Sequence, residues 1–332
     1  MIARSERLRA LVARRGEVSN RDVAGMLRIS PATSHRLLRA LVTAGVLELH
    51  GKGPAARYCL RHIRFRFRRV GLEEDRAWNA IAEAMARVQT LPTDELRSLQ
   101  YAVSEVLNNA VEHSRGRSVS VDVSFESRGT CVVTVRDDGV GVFRRVCKDF
   151  GFTSPQEAIL QLEKGKLTSD PARHSGEGLF FTSKAVSLFR IESQGVAWIV
   201  DNLVGDSAIG ASDTRKGTRV VLTVLRDRTP TLEDVFRSYT DPKSLRFTRT
   251  RTTVKLGAFG TTLISRSEAR RITRRFTDFT HAVLDFSGVE IVGQGFCDEV
   301  FRVFARQNPQ VKIEPLGMND AVAFMVARAQ TT

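Results

Sequence analysis

Apolar positions near the start of the chain recur with a helical period. Leu8, Leu11 and Val12 fall on one helix face up to Gly16, and Ser19 offers an N-cap ahead of Val23 and Leu27. Ser30 followed by Pro31 is a second cap with proline at the first helical position. It opens a helix that ends at Gly45 and turns Leu37, Leu38 and Leu41 inward. Residues 46–49 and 57–60 flank the turn Gly51-Lys-Gly-Pro54 and read as a two-stranded ribbon. Residues 61–69 alternate basic and apolar positions like a strand, able either to extend a nucleic-acid surface or to bridge to the next domain.

The pattern changes after residue 71. A helix is expected over 72–91, and a second begins with a capping signal at Thr93, with Leu96, Leu99, Val103, Val106, Leu107 and Ala110 along one face up to His113. Two strand-like runs follow, 118–125 and 130–136, and later come a helix over 179–189 and a strand over 219–225. Between them Ser154-Pro-Gln-Glu157 is a capping box that opens a helix over 156–164. Residues 227–246 read as a linker with one short helix. Beyond it strands 252–256, 281–286 and 311–315 alternate with helices 266–278, 295–306 and 319–329, which implies a small sheet covered by helices. The expected fold class is therefore α/β and multidomain.

Charge sharpens this division. The formal net charge is +14, and residues 1–70 hold sixteen Lys and Arg against four Asp and Glu, so the excess lies almost wholly at the N-terminal end. A polyanion partner is expected there, against the alternative of a merely solvated surface. No apolar run approaches the roughly 20 residues of a membrane span, and Arg4, Glu6, Arg7 and Arg9 stand where a signal peptide would be apolar, so a cytoplasmic location without membrane contact is expected. Cys59, Cys131, Cys147 and Cys297 show neither metal-ligand spacing nor a disulfide framework and read as free thiols.

Candidate chemistry gathers in the central segment. Glu105 and Asn109, four residues apart, put a carboxylate and an amide on one side of a helix, where both can reach a metal-phosphate group. The strand ending at Arg136 runs into Asp137-Asp-Gly-Val-Gly141, whose glycines let the backbone approach a ligand while Asp137 accepts a hydrogen bond, as from an adenine amino group. The turn His174-Ser-Gly-Glu-Gly-Leu179 opens a helix with free N–H groups suited to phosphate, and Lys216-Gly-Thr218 precedes the last strand. Lys164, Lys166 and His174 read by themselves as ordinary exposed cations at a helix C-terminus, where the dipole favours them. His113 lies one turn beyond Asn109, placed either to orient Glu105 or to cap the helix.

Three resemblances follow from these strings. Over residues 2–61, Val23-Ala-Gly-Met-Leu-Arg-Ile-Ser-Pro-Ala-Thr-Ser-His-Arg-Leu-Leu-Arg-Ala-Leu41 and the ribbon resemble the winged helix-turn-helix of bacterial transcription regulators. By analogy the helix from Pro31 enters the major groove of double-stranded DNA, with Ser30, Thr33, His35, Arg36 and Arg39 facing the nucleic acid and Lys52 and Arg57 holding phosphates. Arg36 is the candidate for a bidentate guanine contact. Over 72–226 the four motifs in order resemble the GHKL (Bergerat-fold) ATPases, an α/β sandwich. That resemblance implies ATP and magnesium as cofactors, Glu105 as general base, Asn109 as magnesium ligand, Asp137 as adenine reader with Thr218 beside it, and Gly139, Gly141, Gly176, Gly178 and Leu179 along the nucleotide. The stretch between the glycine boxes would be a long ATP lid, and with it Lys164, Lys166 and His174 become candidates for the γ-phosphate. Over 247–330 the run Ala282-Val-Leu-Asp-Phe-Ser-Gly-Val-Glu-Ile-Val-Gly-Gln-Gly-Phe296 resembles the STAS domain of anti-sigma-factor antagonists. The antagonists' phosphorylated serine is replaced by Gly293-Gln-Gly295, and Ser287 is a poor substitute, which points to docking of a regulatory protein or to self-association. Asp285 and Gln294 read as turn residues.

The expected domains are a winged helix at 1–62, a GHKL domain at 72–226, a linker at 227–246 and a STAS-like domain at 247–332. Helix 72–91 holds no histidine, which disfavours an autophosphorylating sensor kinase. The leading expectation is a DNA-binding regulator controlled by Mg-ATP occupancy or hydrolysis. The alternative is an anti-sigma-type protein serine/threonine kinase in which Glu105 activates a partner hydroxyl, and a third reading is a scaffold holding ATP without turnover.

Overall fold

Caps and turns written in the sequence set the N-terminal elements. The computed structural model describes residues 7–8, 11–12, 15–127, 129–165, 177–240 and 251–331. Ser19 caps the helix Asn20–Leu27 in a closed capping box with Asp22, and Ser30 caps Pro31–Thr43 by accepting from the Thr33 N–H. That second helix stops at Thr43, two residues short of Gly45, and helical residues occur at 7–8, 11–12 and 15. Strand β1 (Glu17–Val18), not anticipated, joins β2 (Leu47–His50) and β3 (Arg57–Leu60) in an antiparallel sheet of order β1-β3-β2. Leu8, Leu11, Val12, Val23, Leu38, Leu41, Tyr58 and Leu60 form one buried core beneath it.

The chain divides into two compact units, one of residues 1–142 with 181–232, the other of residues 143–180 with 233–332. The first unit also contains a seven-stranded sheet, ordered β4-β5-β6-β10-β7-β8-β9, from β4 (His62–Arg68), β5 (Ser118–Ser127), β6 (Thr130–Asp137), β7 (Leu188–Ser193), β8 (Val196–Asp201), β9 (Asp206–Ala211) and β10 (Arg219–Leu225). The basic alternation at 61–69 is thus the edge strand, paired antiparallel with β5 from His62↔Ser124 to Arg68↔Ser118. Its Arg64, Arg66 and Arg68 are exposed, while Phe65 and Phe67 stack on the other face. Charge on an edge strand also deters edge-to-edge pairing. Alternation across the sheet buries one row, in which Val121, Val135, Val220 and Ile191 lie in register.

Helices Glu74–Ala86 and Thr93–His113 pack against this sheet, the first five residues shorter than its expected C-terminal end. Thr93 is the first helical residue and not the cap; Pro92 precedes it without a side-chain cap hydrogen bond. Two buried polar groups of the long helix fasten the chain after β10. Glu95 Oε1 accepts from the Asp227 N–H at 2.9 Å, and Ser98 Oγ donates to the Pro230 carbonyl at 3.0 Å. The helix expected over 179–189 ends at Ala185, because residues 188–193 pair with β10 and β8. A helix at Leu232–Tyr239 lies in the expected linker.

In the second unit β11 (Arg251–Lys255), β13 (His281–Asp285) and β15 (Lys312–Leu316) form a parallel sheet of order β11-β13-β15, and β12 (Thr262–Leu263) pairs with β14 (Ile291–Val292). The expected helix 266–278 ends at Thr273, with a 3₁₀ turn at Phe276–Asp278. Helix Gln294–Cys297 passes through a π-helical stretch, Asp298–Phe304, into Ala305–Gln307, and Asp320–Thr331 follows β15. Leu256, Leu284, Phe286, Phe296, Val300 and Val322 are among its core residues, and so is Leu160, from the helix Pro155–Lys164 of the same unit.

Candidate functional site

The strand β6 delivers Asp137 to a turn closed by a second turn ahead of β10. The Asp137 N–H donates to the Thr218 carbonyl at 3.0 Å, and the Asp137 carboxylate accepts from the Gly139 N–H at 2.8 Å and from the hydroxyl and N–H of Thr218. Thr218 Oγ1 in turn accepts from the Val142 N–H at 3.1 Å. Burial raises the Asp137 carboxyl above its ordinary value, opposed by these hydrogen bonds and reinforced by Asp138. A carboxylate offers about four lone-pair sites, so with three donors in place Asp137 keeps room for one more, such as an exocyclic amine.

The glycines of this turn are required by the protein's own packing. A Cβ on Gly139 would lie 2.0 Å from the Ser114 carbonyl oxygen. Ser114 ends the Thr93–His113 helix, and its carbonyl accepts from the Val140 N–H at 2.8 Å. Gly141, at φ +87°, lies where a Cβ would meet Ser193 Oγ at 2.3 Å, and Gly217, at φ +67°, where one would meet the Asp137 carbonyl oxygen at 2.0 Å. Gly139 and Gly141, expected for close approach to a ligand, serve the protein's own packing here: they dock the end of the helix and the Lys216–Thr218 turn onto Asp137.

Glu105 and Asn109 are half-buried on that same helix, which packs on β6 and β10, and its C-terminal cap touches the Asp137 turn. The fully buried polar groups of the helix are instead Glu95 and Ser98. Asp138 holds the start of β5, accepting from the N–H of Ser118 and Arg117 and from Ser118 Oγ, and these bonds, the Ser118 N–H first, lower its carboxyl. Two neighbours of the turn, Glu192 and Ser193, were not expected from the sequence. Ser193 Oγ donates to the Gly217 carbonyl at 2.9 Å. Glu192 accepts from Thr214 Oγ1, Ser212 Oγ, Arg219 and Arg190. Burial pushes its carboxyl up, but these donors bring it down to about 2. No motif announces either residue, since both follow from strand pairing.

Gly178 opens the helix Gly178–Ala185, with Leu179 half-buried in its first turn. Lys166, His174 and Gly176 lie outside the described residues. Lys164 is corrected both as a phosphate ligand and as an exposed cation. It is 1% exposed, and its Nζ donates to the carbonyls of Arg274 at 2.6 Å and Ile272 at 3.2 Å over the Phe276 ring. Burial, with Arg275 adding, holds it well below the ordinary lysine value. The capping box at Ser154 is half formed: Ser154 Oγ accepts from the Glu157 N–H, but Glu157 turns to the N–H and hydroxyl of Thr153. Further contacts tie this segment to 266–276 within the second unit. Arg271 donates to Thr153 Oγ1, Arg274 donates to the Phe150 carbonyl and covers the Phe152 ring, and Arg275 donates to the Gly165 carbonyl.

At the N-terminal sheet His35, Arg36, Arg39 and Lys52 are exposed. Ser30 and Thr33 spend their hydroxyls on the helix cap, 2.9 Å apart, and Arg57 folds back onto the carbonyls of Pro54 and Ala56.

The residues of the Asp137 turn are compatible with a purine nucleotide, with Asn109 an oxygen donor of the kind magnesium takes. No helix among the described residues is long and apolar enough to cross a membrane. No curated protein matches the chain. Residues 268–323 match the family model of a STAS-like domain of unknown function. Residues 71–200 match that of the histidine kinase-like ATPase domain, so the Asp137 turn and the Glu105 helix belong to a domain of a kind that supports ATP binding.

Proposed function

We propose that the chain is an ATP-binding regulator in which Mg-ATP occupancy or hydrolysis in the histidine kinase-like domain controls binding of DNA or of a protein partner. The observation that carries this reading is the packing of the lid helix Pro155–Lys164. It lies in sequence between the Asp137 turn and the helix at Gly178, yet Leu160 sits in the STAS-like core and Lys164 is bonded to Ile272 and Arg274. A ligand shifts a conformational equilibrium only through differential affinity for two states. A lid ordered by nucleotide supplies that difference to the unit in which the lid is packed.

On this reading Asp137 holds the adenine amino group with Thr218 beside it, Asn109 ligates magnesium and Glu105 stands as general base. Magnesium, when bound, neutralises phosphate charge. The N-terminal helices and ribbon act as a winged helix, with exposed His35, Arg36 and Arg39 toward DNA and Lys52 toward phosphate. Duplex affinity measured with and without Mg-ATP tests the switch, and an affinity indifferent to nucleotide removes it. A second reading, an anti-sigma-type serine/threonine kinase, is favoured by Glu105 and Asn109 on one half-buried helix face. Transfer of labelled phosphate to a partner, lost in Glu105→Ala, would select it.

A further inference from the structure

The outer face of the N-terminal ribbon carries a cluster that linear spacing hides. Glu48 and His50 are two residues apart on β2 and so point to one face, and the register sets Glu48 opposite Cys59 on β3. One donor atom from each of Glu48, His50 and Cys59 lies within 4.8 Å of the others, and His50 Nε2 is 3.7 Å from Glu48 Oε2. Glu17 on β1 stands opposite Cys59 on the other side, 3.9 Å from Arg57. The turn that fixes this register needs Gly51 at φ +78°, where a Cβ would meet the Ala55 carbonyl oxygen at 2.7 Å.

We propose that Glu48, His50 and Cys59 bind a thiophilic divalent cation of the zinc class, with three protein ligands and a fourth position open to water. In a tetrahedral zinc site, ligand bonds of about 2.0–2.3 Å place donor atoms roughly 3.3–3.8 Å apart, the nitrogen–oxygen pair at the short end. The His50–Glu48 pair, at 3.7 Å, is within a few tenths of an ångström of the nitrogen–oxygen spacing, and side-chain rotation of the exposed imidazole and the half-buried carboxylate brings the three donors together. The donor set selects the metal. Calcium and magnesium take oxygen ligands, whereas one sulfur, one nitrogen and one oxygen suit zinc and its neighbours. The thiol proton passes to solvent as the Cys59–metal bond forms. A bound cation cross-links β2 to β3, so the ribbon stiffens when the metal arrives. The site is independent of the nucleotide and DNA readings.

The whole 332-residue chain, untagged, reduced and stripped with chelator, is titrated with Co²⁺ and followed by absorption. The expected result is saturation at one equivalent per chain, with visible ligand-field bands and a near-ultraviolet thiolate-to-cobalt band that Zn²⁺ displaces. Cys59→Ser removes the thiolate band, while Cys147→Ser, altering a half-buried thiol elsewhere, keeps it. His50→Ala changes an exposed side chain that the sheet does not need and weakens binding more than about tenfold, since even outer-shell losses cost that much. Absence of a thiolate band, a band that survives Cys59→Ser, or unchanged affinity in His50→Ala overturns the proposal.

Discussion

Lys164 and Arg274, 110 residues apart, are joined by a 2.6 Å hydrogen bond from the lysine Nζ to the arginine carbonyl. The lysine thus fastens the helix Pro155–Lys164 to residues 272–274 within one compact unit. Lys164→Met keeps most of the volume but leaves the Ile272 and Arg274 carbonyls without their donor. An unsatisfied buried group costs about 1–3 kcal/mol, so a loss of about 2–4 kcal/mol is expected, read as a lower urea midpoint for the STAS-like unit. A phosphate-binding lysine would show the opposite pattern, with weaker ATP binding and unchanged stability.

Asp137→Ala removes the acceptor proposed for the adenine amino group. Losing a hydrogen bond to a charged group costs about 1.5–3 kcal/mol, roughly ten- to hundredfold in Kd. Calorimetric titration with ATP measures it, and GTP, which carries a carbonyl at the corresponding ring position, is expected to bind weakly to the parent protein.

Glu105→Ala separates binding from chemistry. A general base contributes about 10²–10⁴ in rate, so turnover or phosphate transfer falls by that order while ATP affinity stays within a few-fold. An unchanged rate would remove Glu105 from the chemistry.

Much of the fold and of the candidate site is legible in the amino-acid sequence, and the exceptions have physical causes. Ser19, Ser30 and Ser154 announce their helices because a hydroxyl N-cap is a local signal. Asp137, Thr218 and the glycines stand out because the turns need small residues beside a strand end. Strands β7 to β9 escape the sequence pattern because Leu188 and Phe189 continue an apolar helical spacing that only pairing with β10 overrides. Lys164 misleads because a cation near a helix C-terminus looks solvated, and its acceptors lie more than 100 residues away. The trio of Glu48, His50 and Cys59 is assembled by cross-strand register, which spacing along the chain does not display.

Gly139→Ala and Gly217→Ala each place a Cβ about 2.0 Å from a backbone oxygen. Overpacking costs about 1–3 kcal/mol, and Gly217 also sits at positive φ. Both variants are expected to lose ATP binding and melt earlier, whereas Gly25→Ala, which meets no atom within 4 Å, is expected to do neither.

Glu192 gives the fold an acid-sensitive fastening. Its carboxyl is held at about 2, below the ordinary 4.5, so its contribution is complete above the ordinary value and disappears as pH falls through about 2. The stability gap between the parent protein and Glu192→Gln is therefore expected to be present at pH 7 and to shrink between pH 4.5 and about 2. Urea midpoints across that range measure it, and a gap that widens on acidification contradicts the assignment.

Hydrogen exchange with and without Mg-ATP tests the central claim, that nucleotide held at the Asp137 turn is sensed through the lid by the STAS-like unit. Slower exchange is expected in two places on adding ATP, at residues 137–142 and in the helix Arg266–Thr273. Exchange that stays the same at both, or changes at the Asp137 turn and leaves Arg266–Thr273 untouched, would contradict it.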